Sequence, residues 1–351
     1  MDIIKFKWKM ILFILLAVLL TACHSSVGNS ANKPSQEQEQ FLGDTLLPSN
    51  LFSVVAVDGD FVTYLSIDDN DNTYLYRYDM RKGESLQICE LENYLMNPAN
   101  CAEINGILYL NYVTRDNRHI FVAVDMNNLS KEELTVEDGV SGLVYSTATS
   151  DKVFSLKHTN SGKSIVDCYS LQSKDSSCFI SFENGQTAYG ISAYGENIYI
   201  LLKELDGIFI KQYDLNGKEI SQLDISFAEY LLEETQISTF QIMNDHFYLC
   251  NFSGESAVFN FDGQLLEELE DSTITKTPSN SFKQYSFYNE TNSQVFIFDT
   301  SNSTLRKAHF DVPTNYVIRY VYSDYRNPSR TLISIKQIES GNEKVFVSII
   351  E

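Results

Sequence analysis

The sequence predicts an all-β protein, a β-propeller of four-stranded antiparallel blades. Short segments of alternating apolar residues recur between turn residues, and long helical patterns are nearly absent. One hairpin pattern also returns along the chain, as in "TYLYRYDMRKGE", "IFVAVDMNNLSKE" and "IFIKQYDLNGKEI". A single blade cannot cover both of its faces, so we expect the blades to stack in a ring.

Residues 1–22 have the pattern of a secretory signal peptide, with three lysines before a short apolar run. That run is shorter than the roughly 20 residues of a spanning helix. The sequence Leu20-Thr21-Ala22-Cys23 resembles the bacterial lipobox. This resemblance implies that Cys23 is acylated, for example with palmitate, and becomes the first residue of a lipoprotein anchored to a membrane surface. An ordinary signal peptide with a chance cysteine is the alternative.

Residues 23–40 are polar, and we predict a flexible tether there because they cannot bury enough apolar surface to order themselves. Residues 41–351 would then form the propeller domain. Without residues 1–22, which hold three of the 26 basic and one of the 47 acidic residues, the formal net charge is −23. Such acidity disfavours nucleic acid and bare anionic lipid as partners.

The turns predict the number of blades. One kind of turn recurs seven times at intervals of about 45 residues, a period typical of propeller blades. In the first blade the strands are "FSVVAV", "FVTYLSI", "TYLYRYD" and "SLQICEL". Seven blades are favoured, with six and eight as alternatives. The segment "FLGDTLLPS" (41–49) could pair with the C-terminal strand "KVFVSIIE" and close the ring, which would protect the exposed edge.

This architecture resembles that of β-propeller lipoproteins of bacterial envelopes, including the broad group with TolB-like propeller domains. The resemblance covers the whole mature domain and rests on architecture. The only tryptophan is Trp8, in the signal peptide, so the docking tryptophans of quinoprotein-type propellers are missing. The resemblance implies a lipid-anchored protein of the cell envelope. The anchor would lie in the outer membrane of a Gram-negative cell, or on the outer face of a Gram-positive cell membrane.

No catalytic residue is predicted. The histidines show no HExxH spacing, and no G-x-S-x-G elbow exists. His119 and His158 fall beside equivalent turns of adjacent blades and could approach one another on one rim, although surface histidines without a catalytic role are the simpler interpretation.

The best metal candidate is "IDDNDNT" (67–73). Asp69 and Asp71 alternate like the first ligands of a calcium loop, so Ca²⁺ is the one cofactor considered. The loop lacks the later Gly and Glu, and Asp and Asn also favour ordinary turns. A simple turn is therefore the favoured interpretation, and no cofactor is predicted.

Cys168 and Cys178 are placed symmetrically about a turn and could form a disulfide across a hairpin. Two small buried hydrophobic residues are an equally good interpretation, because free cysteine is often buried.

One face of the ring is the candidate functional surface. With the strands of a blade named A to D in chain order, the B–C turns and D–A connections emerge on the same face. The predicted D–A connections are long and acidic, and they are residues 89–98, 132–140, 225–236 and 267–278. Within the third of them, "FAEYLLEE" could form a short helix. The candidate binding residues are Glu90, Glu92, Tyr94, Glu137, Asp138, Glu229, Tyr230, Glu233 and Glu234. Solvated loops are the plainer alternative.

We therefore expect a non-enzymatic binding or scaffold module that presents this face to another envelope protein or to an exported ligand. The alternative is a propeller enzyme, a glycan lyase or hydrolase, with carboxylates at the channel mouth. An enzyme needs such groups within reach of one another. The lack of a catalytic motif favours the binding module.

Overall fold

The computed structural model describes most of the chain from residue 47 to residue 339, together with shorter pieces. The described ranges are 40–41, 47–48, 50–92, 94, 102–183, 185–231, 237–243, 245–251, 255–269, 272–274, 284–289, 294–299, 302–307, 315–323, 330–339 and 343–349. The signal peptide, Cys23 and nearly all of the tether lie outside them. Gln38–Glu351 form one compact unit.

The described residues form seven four-stranded antiparallel sheets. The first strand of the chain is β1 (Gln40–Phe41). Sheet 1 contains β2 (Ser53–Asp58), β3 (Phe61–Ile67), β4 (Thr73–Asp79) and β5 (Glu84–Leu91); sheet 2 contains β6 (Ala102–Ile104), β7 (Ile107–Val113), β8 (Arg118–Asp125) and β9 (Ser130–Asp138). Sheet 3 contains β10 (Val140–Ala148), β11 (Lys152–Thr159), β12 (Ser164–Ser170) and β13 (Ser176–Ser181).

The remaining sheets follow in the same order. Sheet 4 contains β14 (Thr187–Tyr194), β15 (Asn197–Glu204), β16 (Gly207–Asp214) and β17 (Glu219–Asp224), and the 3-10 helix Ser226–Leu231 follows it. Sheet 5 contains β18 (Ile237–Met243), β19 (His246–Asn251), β20 (Ser256–Asn260) and β21 (Leu265–Leu269). Sheet 6 contains β22 (Ser272–Ile274), β23 (Gln284–Asn289), β24 (Gln294–Asp299) and β25 (Thr304–Lys307). Sheet 7 contains β26 (Tyr316–Ser323), β27 (Arg330–Gln337), β28 (Glu343–Ile349) and β1.

The prediction of an all-β propeller is confirmed. Sheets built from neighbouring strands follow each other along the chain, and the first predicted blade matches β2 to β5. The fourth strands are mostly exposed, as β5 and β17 show, whereas the central residues of β3 and β15 are buried. This gradient is expected when the fourth strand lies at the outer edge of each blade.

Apolar clusters fill the spaces between successive sheets. Leu65 and Leu75 of sheet 1 share a cluster with Leu108 and Leu110 of sheet 2, and all four are at least 99% buried. Each such leucine contributes about 1.5–3 kcal/mol relative to an exposed one. These contacts join adjacent blades, so burial between sheets stabilises the repeat.

Sheets 4 and 5 approach closely at Gly190. A Cβ atom at this position would lie 2.5 Å from the Cβ of Phe240. The Phe240 Cβ is fixed to its own strand and cannot turn away, so only glycine fits between β14 and β18. Phe240 belongs to the apolar cluster that also contains Leu201 and Phe247.

Sheet 7 packs against sheet 1, where Leu332 shares a cluster with Val57 and Val62. Strand β1 pairs with β28 through Gln40 opposite Val347 and Phe41 opposite Phe346. Residues 42–46 and 49 of the predicted closing segment lie outside the described residues. The number of blades in the ring and its closure by segment 41–49 therefore stay predictions.

One predicted connection was wrong. Residues 132–140, interpreted as a long D–A loop, belong to β9 and β10, with only Gly139 between the two strands. Gly139 has φ +77°, a left-handed conformation that glycine adopts without a steric penalty. The link is short because this glycine turns the chain within one residue.

Among the described residues, no helix combines the length and the apolar character that crossing a membrane would require.

Candidate functional site

Strand register places several acidic residues on one face, which we call the B–C/D–A face. In sheet 2, Asp138 at the end of β9 lies opposite Arg118, the first residue after the B–C turn 114–117. In sheet 1, Glu90 near the end of β5 lies opposite Tyr74, which follows the B–C turn 68–72. The D strands thus leave their sheets beside the B–C turns, as predicted.

The same arrangement holds in sheet 4. Asp224, the last residue of β17, lies opposite Phe209 near the start of β16. The Asp224 carboxylate accepts a hydrogen bond of 2.8 Å from the backbone N–H of Ser226, and hydrogen bonds from Ser226 lower the pKa of Asp224. This cap starts the 3-10 helix that carries Glu229 and Tyr230. The short helix predicted over 227–234 is therefore present in part, and Glu233 and Glu234 lie outside the described residues.

Most of the remaining candidate residues are exposed on this face, and these are Glu90, Glu92, Glu137, Asp138, Glu229 and Tyr230. Tyr94 is different. It is 5% exposed, pairs with Thr114 in a β-bridge and packs on Tyr112 with ring centroids 5.6 Å apart. Its inclusion as a binding residue was wrong, because the ring belongs to the apolar core between sheets 1 and 2.

Glu137 belongs to a polar network between sheets 2 and 3. The Asn111 side chain donates a hydrogen bond of 2.8 Å to the Ser146 hydroxyl and lies 2.7 Å from His119 Nε2. Nδ1 of His119 lies 3.7 Å from Oε2 of Glu137, which is an ion-pair distance rather than a hydrogen bond. Glu137 also contacts the ammonium group of Lys157, which comes from β11.

Lys157 joins two carboxylates. Its ammonium contacts Glu137 and Asp167, and its side chain is only 5% exposed. Burial alone would lower the pKa of Lys157, but the hydrogen bonds to Asp167 and Glu137 outweigh this effect and raise it. His119 and Lys157 hold the pKa of Glu137 at about 2, against the opposing effect of partial burial.

This network locks the B–C/D–A ends of sheets 2 and 3 together. Lys157 contacts both carboxylates, so one ammonium group is shared between Glu137 and Asp167. The Glu137 side chain is still 44% exposed, so its charge also contributes to the field of the face. The arrangement is suited to fixing the positions of the strands that carry these side chains.

The sequence interpretation missed Lys157, Asp167 and Asn111. A signal was present, because Lys157 follows the apolar residues of the strand segment "VFSLKH", and lysine is buried in such a strand only when it is paired. The partners were not visible in the sequence, since Glu137 lies in the preceding sheet.

His119 and His158, which the sequence placed on one rim, have different side-chain partners. His119 faces sheet 3 and bonds Asn111, whereas His158 Nδ1 lies 3.1 Å from the Ser164 hydroxyl of its own sheet. Burial lowers the pKa of His158. Adjacent residues of β11 point to opposite faces of the sheet, so Lys157 takes the position toward His119.

The calcium candidate forms a tight turn. The Asp68 carboxylate accepts hydrogen bonds from the backbone N–H groups of Asn70 and Asn72 at 2.9 and 2.8 Å. Asp71 has φ 64°, and one carboxylate oxygen lies 3.5 Å from the Arg115 guanidinium. Asp69 is exposed. Within the described residues, no three His, Cys, Asp or Glu side chains converge as metal ligands.

Cys168 and Cys178 are both free thiols in the structure. Cys178 lies opposite Asp167, one position away from Cys168, so the two side chains point to opposite faces of the sheet. The register is set at the turn, where Tyr169 lies opposite Ser176 and Cys168 opposite Ser177, one residue away from the symmetric pairing that the sequence suggested. The disulfide interpretation was therefore wrong. Cys168 is a small buried residue, and Cys178 is exposed.

Comparisons with known proteins support the fold. No protein-family model and no curated protein matches the chain. Among solved structures, an oligogalacturonate lyase from Vibrio parahaemolyticus has a TM-score of 0.57 at 8% identity, covering 92% of this chain and 96% of that one. The WD40 repeats of RRP9 give a TM-score of 0.56 at 11% identity, covering 90% and 98%. A structure of prolyl endopeptidases gives 0.52 at 12%, covering 82% and 47%.

These likenesses show a β-propeller fold. The neighbours include a lyase, an endopeptidase and WD40 repeats, and propellers of one architecture carry different functions. Function must therefore be argued from the surface of this chain.

Proposed function

We propose that the protein is an exported, lipid-anchored binding module, and that it presents the acidic B–C/D–A face to another envelope protein or an exported ligand. The observation that carries the proposal is the convergence of exposed carboxylates on this face from three separate sheets. Glu92 leaves sheet 1, Asp138 leaves sheet 2 and Glu229 follows sheet 4. Residues so distant in sequence share one surface because D strands of a propeller exit on the same side.

The charge selects a cationic partner. Carboxylates lining one surface above a low-dielectric core raise the local concentration of cations, and they speed association at low salt. With a formal net charge of −21 for the whole chain, nucleic acid is an unfavourable partner. We locate the protein at the bacterial cell envelope, attached through Cys23.

We do not extend the lyase activity of a structural neighbour to this chain. An identity of 8% supports a common fold alone. The structure brings the carboxylates of Glu137 and Asp167 together through their shared contact with Lys157.

The test compares charge reversal on the two faces. Glu92, Asp138 and Glu229 are changed to Lys in one variant, and Asp175, Glu196 and Asp262 in a control. The control residues are exposed in A–B turns and C–D hairpins on the opposite face. Partners cross-linked from native membranes should be recovered with the wild type and the control but lost with the first variant, and recovery should fall as salt rises. Loss in the control alone would place the binding surface on the other face.

A further inference from the structure

Sheets 5 and 6 bring three polar side chains together on the face opposite the B–C/D–A face. His246 is the first residue of β19, and Asp245 precedes it in the A–B turn of sheet 5. Ser303 lies in the C–D hairpin of sheet 6, directly before β25. Nε2 of His246 lies 2.8 Å from the Ser303 hydroxyl oxygen, and Nδ1 lies 2.7 Å from a carboxylate oxygen of Asp245. We call Ser303, His246 and Asp245 the Ser303 cluster.

Burial fixes the histidine and leaves the serine open to solvent. His246 is only 1% exposed, so neighbouring atoms hold its ring in place. Ser303 is exposed, and the Asp245 side chain is 74% exposed. A molecule from solution can therefore reach the Ser303 hydroxyl, whereas the ring that this hydroxyl contacts is shielded from bulk water.

The repeat shows which residues occupy the corresponding positions elsewhere in the chain. Phe61 begins the second strand of sheet 1, as His246 does in sheet 5. Leu129 directly precedes the fourth strand of sheet 2 with φ 59°, as Ser303 does in sheet 6 with φ 55°. Phe61 and Leu129 line one cleft between sheets 1 and 2, so an apolar pair occupies that junction. The packing of adjacent sheets therefore does not itself require a histidine and a serine.

The charge of Asp245 favours one state of the imidazole ring. Its carboxylate lies beside Nδ1 at an ion-pair distance and favours the tautomer that carries its proton on this nitrogen. Nε2 is then left as an acceptor, and the Ser303 hydroxyl donates to it. Serine, histidine and aspartate in this order form the triad of acyl-transfer enzymes, which is recognised by geometry and roles and not by position in the sequence. A G-x-S-x-G elbow is therefore not needed for it.

We propose that the Ser303 cluster hydrolyses carboxylic esters, with Ser303 as the nucleophile and His246 as the general base. Asp245 is a positioning residue that favours the reactive tautomer. The cleft at the corresponding junction of sheets 1 and 2 has a volume of about 310 Å³, at the lower end of the range for ligand pockets. A short acyl group such as acetyl suits a site of this size. This inference is independent of the proposed function, because it concerns the opposite face.

The reaction would proceed in two balanced steps. In the first, Ser303 Oγ forms a bond to the ester carbonyl carbon while its proton moves to Nε2 of His246. The bond from that carbon to the alcohol oxygen then breaks, and the alcohol leaves with the proton from Nε2. In the second step, water attacks the acyl-serine with the same help from His246, which releases the carboxylic acid and restores the Ser303 hydroxyl.

Two measurements on the full chain in detergent test the proposal. A biotinylated fluorophosphonate, which exchanges its fluoride for the oxygen of an activated serine, should label the wild type, and mass spectrometry should locate the label on Ser303. The wild type should also hydrolyse p-nitrophenyl acetate at least about a hundredfold faster than Ser303→Ala, since a positioned general base contributes that much. Ser173→Ala is the matched control, since Ser173 is exposed in the C–D hairpin of sheet 3, and it should keep both activities.

Variants of Asp245 separate positioning from a structural role. Asp245→Asn should slow labelling, and Asp245→Glu, which restores the carboxylate, should recover part of the rate. Both should unfold at the urea concentration of the wild type, because the side chain is 74% exposed. Equal hydrolysis by the wild type and Ser303→Ala, or a label on a residue other than Ser303, would overturn the proposal. Equal labelling rates for Asp245→Asn and the wild type would overturn the role of Asp245.

Discussion

Lys157 places a positive charge in a buried position of strand β11. Its ammonium is buried, and the carboxylates of Glu137 and Asp167 compensate the loss of water around it. Removal of one member of such a group leaves an uncompensated buried charge, which costs more than the pair itself contributes. The network therefore makes the junction of sheets 2 and 3 sensitive to single substitutions.

We predict that Lys157→Met lowers the free energy of unfolding by about 1.5–3 kcal/mol, because Asp167 loses its charged hydrogen-bond donor, whereas Glu137 is 44% exposed and regains water. Urea unfolding at neutral pH measures the change. Lys163→Met, at an exposed site in the neighbouring B–C turn, is the control and should change stability little. Equal unfolding midpoints for the two variants would show that the network contributes no stability.

Acid should reduce the difference in unfolding free energy between the wild type and Lys157→Met. The pKa of Glu137 is lowered from its ordinary 4.5 to about 2, so its contribution is present above pH 4.5 and is lost as the pH falls through 2. The raised pKa of Lys157 makes its contribution present at neutral pH and lost only in strong alkali. The difference in unfolding free energy between the wild type and Lys157→Met should thus become smaller from pH 4.5 toward pH 2. A constant gap would assign the loss to packing instead of charge.

At the scale of strands, the sequence predicted what depends on local patterns. Apolar alternation and turn residues predicted the bounds of β2 to β5 within a residue or two, since both signals depend only on residues close together in the chain. The pattern failed at 132–140, where acidic side chains on an exposed outer strand resemble a loop. It also could not show that Glu137 and Lys157 meet, because contacts between sheets depend on blade packing and not on spacing along the chain.

The pairing of β1 with β28 leads to a prediction about the ends of the propeller domain. A chain that begins at Gln40 keeps this pairing, whereas one that begins at Leu46 leaves the outer edge of β28 bare and keeps the buried Leu47 and Leu51. The shorter chain should melt at a lower temperature and aggregate more readily, because an unpaired strand edge recruits other chains. Calorimetry and light scattering compare them. Identical melting and scattering would exclude a role for β1 in closing the ring.

At the scale of the whole molecule, the strong acidity and the proposed anchor act together. Acyl chains at Cys23 would hold the propeller near a membrane, while a net negative charge keeps its surface from lying flat on anionic headgroups. The tether of residues 23–40 would then let the B–C/D–A face turn toward a partner. An anchor of this kind makes the partner search two-dimensional, so that modest affinity suffices.

The anchor gives the last prediction. Cys23→Ala should abolish palmitate labelling and release the protein from the membrane fraction, because the acyl chains supply its only proposed attachment. The exposed thiol of Cys178 is the appropriate control, since Cys178→Ala removes the most accessible other cysteine of the described residues and should leave labelling and fractionation unchanged. Metabolic labelling followed by membrane fractionation measures both properties in the same cells. A Cys23→Ala protein that still takes up label and sediments with membranes would show that residues 1–22 are not a lipoprotein signal peptide. If Cys178→Ala alone lost the label, acylation would belong to the propeller surface, and the protein would face the membrane with sheet 3.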